Sequence, residues 1–105
     1  MKQPNIGNIM KQAQKMQADM ARVQDELKNE RVEASVGGGV VTVTMTGDMS
    51  VERVHIDPAA VDPDDVGMLE DMVAAAVNEA MRQAQDLASS KMASVTGGMN
   101  IPGLM

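Results

Sequence analysis

Thioethers are the ligands a soft cation such as Cu(I) prefers, and Met10, Met16 and Met20 stand close together in the stretch IMKQAQKMQADM. No Cys or His accompanies them, and Met16 and Met20 fall on an apolar seam where packing accounts for them. His55 is the one histidine. Acid–base catalysis would need a nucleophile and an orienting acid beside it, and a metal would need further ligands. Its neighbours are Val54, Ile56 and, on its own side of an alternating run, Arg53, so a surface strand residue is the simpler reading. Asp62, Asp64 and Asp65 offer carboxylates to Mg²⁺ or Ca²⁺, but their spacing is not that of an EF-hand loop. They open a helical stretch, where carboxylates satisfy free N–H groups and favour the dipole. Gly37-Gly38-Gly39 lacks the following Lys-Ser/Thr and the strand–helix setting of a phosphate loop, and reads as a hairpin turn. With no cysteine there is no disulfide, no thiol nucleophile and no Cys-ligated zinc or iron–sulfur site. The expectation is a protein that is not an enzyme and carries neither metal nor cofactor.

What remains is charge. Residues 1–18 hold Lys2, Lys11 and Lys15 and no acid, a segment charge of +3 inside a chain of net charge −6, which leaves −9 on residues 19–105. Lys11, Lys15 and Arg22 are spaced i, i+4, i+11, one helical stripe about 16 Å long opposite the apolar seam. Two readings compete for it. One is a solvated face with Lys15–Asp19 and Arg22–Glu26 bridges; the other is a surface presented to a polyanion. Cations gather in the first half of this helix and Asp19, Asp25, Glu26 and Glu30 in the second, against the preference of the macrodipole, which favours an anion outside the helix. Arg82 is offset by Glu79 and Asp86, whereas Lys91 is expected to be freer. Between Asp57 and Glu79 stand seven acids and no Lys or Arg.

The elements that position these groups follow from periodicity. Ile6, Ile9, Ala13, Met16, Met20, Val23 and Leu27 recur at steps of 3 and 4, a coiled-coil-like seam that predicts a helix to about Glu30, capped by Asn5 or Asn8. The pattern then switches to period two. Val32, Ala34 and Val36 share one side of a strand over 31–36, and Val41, Val43 and Met45 share one face of a strand over 40–46. A strand over 50–56 carries Val54 and Ile56 on one side and Arg53 and His55 on the other. The triglycine and Gly47-Asp48 turn the chain between them, giving a three-stranded antiparallel meander. Asp62 before Pro63 predicts a helix start, with an apolar stripe from Leu69 to Leu87 and an end near Ser94. The tail TGGMNIPGLM reads as mobile.

The 105 residues predict one domain. Its core must be aliphatic, because the chain has 12 Met and no Phe, Trp or Tyr. Two long amphipathic helices beside a small sheet expose apolar surface unless the chain self-associates, so a homodimer is expected. MKQPNIGN has no signal-peptide apolar run, and the longest apolar run, MVAAAV, is far too short for a membrane span, so a cytoplasmic protein without membrane contact is expected.

Taken together, NIMKQAQKMQADM, GGGVVTVTMTGD, VERVHIDP, MLEDMVAAAVNEAMRQ and KMASVTGGMNIPG resemble, in this order and over nearly the whole chain, the YbaB/EbfC family of small bacterial nucleoid-associated DNA-binding proteins. The resemblance implies an α+β fold of αβββα type and a homodimer whose helices extend from a central sheet region. It implies DNA binding in the nucleoid and no catalysis, with a single such domain over residues 1–96 and a flexible tail over 97–105. The resulting expectation is binding of double-stranded DNA with little sequence specificity, through phosphate contacts from Lys2, Lys11, Lys15 and Arg22 helped by Arg53 or Lys91. If four to six phosphates are neutralised, log K should fall against log salt with a slope of roughly −4 to −5. Stacking on single strands is disfavoured, because aromatic platforms are missing. The alternative is a non-enzymatic interaction scaffold in which the acidic 57–79 region and the Met-rich seams hold a partner protein.

Overall fold

The computed structural model describes residues 6–97. In chain order the elements are α1 (Ile6–Asn29), β1 (Arg31–Val36), β2 (Val41–Thr46), β3 (Val51–Ile56), a 3₁₀ turn (Pro58–Ala60) and α2 (Val66–Gly97). The strands form an antiparallel meander in the order β1-β2-β3, so the predicted αβββα arrangement is the one observed. The register pairs Ala34 with Val43 and Val43 with Val54, and Val36 with Val41 and Val41 with Ile56, which gathers the alternating apolar residues on one face. Arg31, Glu33, Ser35, Thr42, Thr44, Arg53 and His55 line the other.

One irregularity shapes β3. Thr44 pairs with Arg53 but Met45 pairs with Val51, so Glu52 is an extra residue, a β-bulge. The bulge returns Val51 to the apolar side. It also lets Glu52 reach across β2 to Arg31, whose guanidinium nitrogens lie 2.7 Å from the Glu52 carboxylate.

The core is a helix laid on two strands. Ala76, Ala80 and Ala84, at i, i+4 and i+8 on α2, are fully buried against Ala34, Val41, Val43 and Met45. Three alanines in line let the helix axis come close to the sheet, which is how a core without aromatic rings reaches close packing. Leu69, Met72, Val73, Val77 and Met81 flank the contact, as the predicted stripe required. The coverage stops short of β3. Val54 lies beside fully buried Val43 on the same face yet is 42% exposed, and Val51 is 46% exposed.

The turns obey local chemistry, with two corrections. Gly37, Gly38 and Gly39 all take positive φ, and a Cβ at Gly37 would meet Val40 Cγ2 at 2.6 Å and Met72 Sδ at 3.0 Å. In the second hairpin the left-handed position falls on Met49 (φ 69°), not on Gly47. Gly47 is needed for close approach instead: its N–H donates to Glu30 O at 2.9 Å, and a Cβ there would stand 2.8 Å from Leu27 O. The predicted cap at Asp62 is also displaced. Asp62 accepts from the Asp64 N–H at 2.9 Å in a turn before the helix, and Asp65 Oδ1 accepts from the Met68 N–H at 3.3 Å, so Asp65 caps α2. Asp57 opens the 3₁₀ turn by accepting from Ala59 N–H at 3.0 Å. Asn8 lies inside α1 and is not its cap; Asn5 and the segment 98–105 fall outside the described residues.

The seam of α1 is buried only at its end, at Val23 and Leu27. With 24 residues α1 is about 36 Å long, whereas a six-residue strand spans only about 20 Å. The helix therefore overshoots its own sheet, and the molecule measures 77 × 26 × 17 Å. Where α1 meets α2, Lys91 Nζ lies 3.1 Å from Glu26 Oε2 and 3.2 Å from Glu30 Oε2. That Glu30 oxygen is out of reach of solvent and takes no directed hydrogen bond, so the ammonium charge is what compensates it. The hydrogen bond to Glu26, then the adjacent Glu30 carboxylate, holds the Lys91 ammonium above its ordinary pKa.

These contacts can be tested by substitution. Gly47→Ala should cost about 1–3 kcal/mol in denaturant unfolding, because the clash is with backbone, whereas Met49→Gly should stabilise by about 1 kcal/mol by removing the left-handed strain. Lys91→Gln should lower Tm by a few degrees from neutral pH to about pH 10, and the gap should narrow above that. A raised lysine pKa stabilises fully below its unfolded value and is lost as pH rises through the folded one; a gap that persists at the highest pH would contradict the clasp.

Candidate nucleic-acid interface

The first four turns of α1 form an arm. From Ile6 to Ala18 the helix has no buried residue, and its seam residues Ile6 and Ile9 are 68% and 55% exposed. Lys11 and Lys15 stand on the opposite side of this arm, one turn or about 6 Å apart, and no described carboxylate lies within ion-pair distance of either. The expected Lys15–Asp19 bridge is absent because Asp19 turns to Arg22, at 3.6 Å. Arg22 also meets Glu26 at 3.7 Å, as the i, i+4 spacing predicted. Both contacts are long and the arginine side chain is 60% exposed, so it remains able to turn to an outside anion.

The other sequence-predicted cations are not gathered here. Lys91 is not a free cation: Glu26 and Glu30 hold it in the contact between helices. The sequence signal for this capture was the i, i+4 spacing of the two glutamates, but nothing in the chain between them and Lys91, 65 positions beyond Glu26, said which cation would meet them. Arg53 is exposed on the polar face of the sheet beside His55, with no ion pair among the described residues, and belongs to a different surface from the arm. Arg82 is matched by Glu79 and Asp86, as expected. Lys2 lies outside the described residues. Lys28 was overlooked in the sequence reading. It is exposed in the last turn of α1 without a described carboxylate partner, a place the macrodipole already favours for a cation.

Met16 is half-buried and Met20 partly exposed on the seam. Among the described residues no group of three or more His, Cys, Asp or Glu is placed to hold a metal ion. Asp57, Asp62 and Asp65 direct their carboxylates to backbone N–H groups. No described helix is long and apolar enough to cross a membrane.

Known proteins place this arrangement. The pattern of the YbaB/EbfC DNA-binding family matches residues 1–99. A nucleoid-associated protein of Alkaliphilus metalliredigens is 55% identical over 101 residues, covering 96% of this chain and 89% of that protein. A nucleoid-associated protein of Acetivibrio thermocellus is also 55% identical over 101 residues, covering 95% and 89%. A crystal structure of an uncharacterized protein from Helicobacter pylori superposes with a TM-score of 0.69 over 86% of this chain and 91% of that one, at 17% identity, and so shares the fold. With a helix, a three-stranded meander and a long second helix in the same order, and relatives matched at half their residues or more, the chain belongs to the YbaB/EbfC DNA-binding family.

Proposed function

We propose that the protein binds double-stranded DNA in the nucleoid as a homodimer, with little sequence specificity, through phosphate contacts from the α1 arm. The observation that carries this reading is the pair Lys11 and Lys15: two cations, free of described carboxylates, on a helix segment that projects from its own domain and contains no acid. Arg22, with its loose pairs, extends the stripe, and Lys2 belongs to it by sequence. Arg53 supplies a separate contact from the sheet, and Lys91 is left to structure. Acidity elsewhere does not forbid this. Charges farther apart than about 8–10 Å are largely screened at moderate salt, so a phosphate at the arm feels the lysines more than the distant carboxylates.

The uncovered side of β3 supports self-association. Val51 and Val54 present apolar surface next to an unpaired strand edge, the kind of surface a second subunit covers. Pairing two subunits there doubles the arms. A dimer engaging four phosphates through Lys11 and Lys15 would show a slope of log K against log salt of roughly −4. The family and the names of the relatives are those of DNA-binding, nucleoid-associated proteins rather than enzymes, and nothing in the exposed arm provides a reacting group.

Replacing Lys11 and Lys15 together by Gln should lower affinity for unrelated duplexes by about tenfold or more in gel shifts and flatten the salt slope. Lys91→Gln should leave affinity unchanged. Full affinity in a folded K11Q/K15Q protein of normal mass would overturn the assignment. Val54→Asp, at an exposed position, should halve the mass seen by light scattering without unfolding the domain; an unchanged mass would move the dimer contact away from β3.

A further inference from the structure

The apolar seam of α1 is covered over part of its length, and the cover stops where α2 stops. Leu27 abuts Gly47 at the β2–β3 turn. Val23, one turn farther from the sheet, is 2% exposed, and the element that packs most on α1 is α2. Lys91 of α2 meets Glu26 and Glu30, and Met92 and Val95 beyond it are half-buried. The two helices therefore run side by side in opposite directions, α1 toward the sheet and α2 away from it. From Lys91 to the end of the helix at Gly97 is about 9 Å. The same distance back along α1 from the Glu26–Glu30 turn reaches Arg22. Beyond that level the seam opens toward its start: Met20 is 36% exposed, Ile9 55% and Ile6 68%.

Residues 98–105 follow α2 directly and so begin beside the open seam. Met99, Ile101, Leu104 and Met105 are apolar, and the segment has no Asp, Glu, Lys or Arg. Gly97-Gly98 and Pro102 oppose further helix, and an extended chain rises about 3.3 Å per residue. The segment then reaches about 26 Å, and α1 from Arg22 back to Ile6 measures about 24 Å. The match extends to single residues. Ile101 comes about 13 Å past Gly97, level with Ala13, the one small residue of the seam, between Met16 and Ile9. Leu104 comes level with Ile6 and Ile9. Met99 and Ile101 are two apart and share one side of an extended chain.

We infer that residues 98–105 lie along the exposed seam of their own α1, with Ile101 over Ala13 and Leu104 against Ile6 and Ile9. This occupant is tethered at the edge of its seat, so it meets the seam at an effective concentration in the millimolar range, ahead of a free second copy. It covers the apolar side of the arm only. Lys11 and Lys15 stand on the opposite side, and a segment without charged side chains neither pairs with them nor repels an anion. The seat therefore closes the apolar side of the arm and leaves its positive side open. It is separate from the β3 surface, and it does not rest on the DNA reading.

The chain has no cysteine, so introduced pairs report the seat directly. Ala13→Cys combined with Ile101→Cys should form a disulfide within one chain under mild oxidation, at a rate that does not change with protein concentration. Ala18→Cys combined with Ile101→Cys places the first thiol on the outer side of α1, and should react about tenfold more slowly or less. In a separate variant, Ile101→Ser should speed hydrogen exchange of the arm amides by about tenfold or more. Equal rates for the two cysteine pairs would overturn the inference, as would arm exchange that Ile101→Ser leaves unaltered. Disulfides between chains, at a rate that rises with concentration, would put a second copy on the seam and overturn it as well.

Discussion

A single helix laid on two strands sets everything else in this molecule. Ala76, Ala80 and Ala84 face Val41, Val43 and Met45 with no side chain larger than methionine at the contact. Small residues allow close approach, and close approach is what gives an aliphatic core its dispersion energy. But one helix is narrower than three strands. Once α2 is centred on β1 and β2, β3 is left at the margin, and the Glu52 bulge keeps Val51 on that uncovered apolar side. The same arrangement leaves α1 with only its last turns to bury, so most of a 24-residue helix stands outside the core.

The exposed parts are where the chain's charge is sorted. The half of α1 that leaves the domain has lysines and no acids; the half that touches α2 has the glutamates. Those glutamates are occupied by Lys91 and Arg22, so they do not reach back to the arm. The acids of the 57–79 stretch belong to the segment after β3 and the first half of α2, not to the arm. A protein with a net charge of −6 can therefore present a local positive ridge. The internal ion pairs matter for what they remove from the surface as much as for what they stabilise. Exposed pairs contribute little energy, yet Lys91 and Glu30 together take one cation and one carboxylate out of competition.

The absence of aromatic rings has consequences at both levels. Inside, it makes methionine the gap filler, with Met45 fully buried and Met72 and Met81 packed at the edge. Outside, it removes the stacking platforms that single-stranded nucleic acid needs. Exposed Met10 and Met68 leave adaptable apolar surface instead.

The order of elements, the faces of the strands and the apolar stripe of α2 were all readable in the sequence, because each depends on a period of two or 3.6 and each period is written in neighbouring residues. The arm's lysines and the pairing of Arg82 were readable for the same reason. The details that were not readable depend on contacts between distant segments. Lys91 looked free until α2 was laid beside Glu26 and Glu30. Gly47 looked like a turn glycine until Leu27 came against it, and the turn's left-handed position went to Met49. The heptad seam marked one apolar face along all of α1, but periodicity states which face is apolar and not what will be opposite it. Local spacing determined the elements and their faces; only the tertiary arrangement decided which faces found a partner, because burial and ion pairing need a second surface that the sequence places far away.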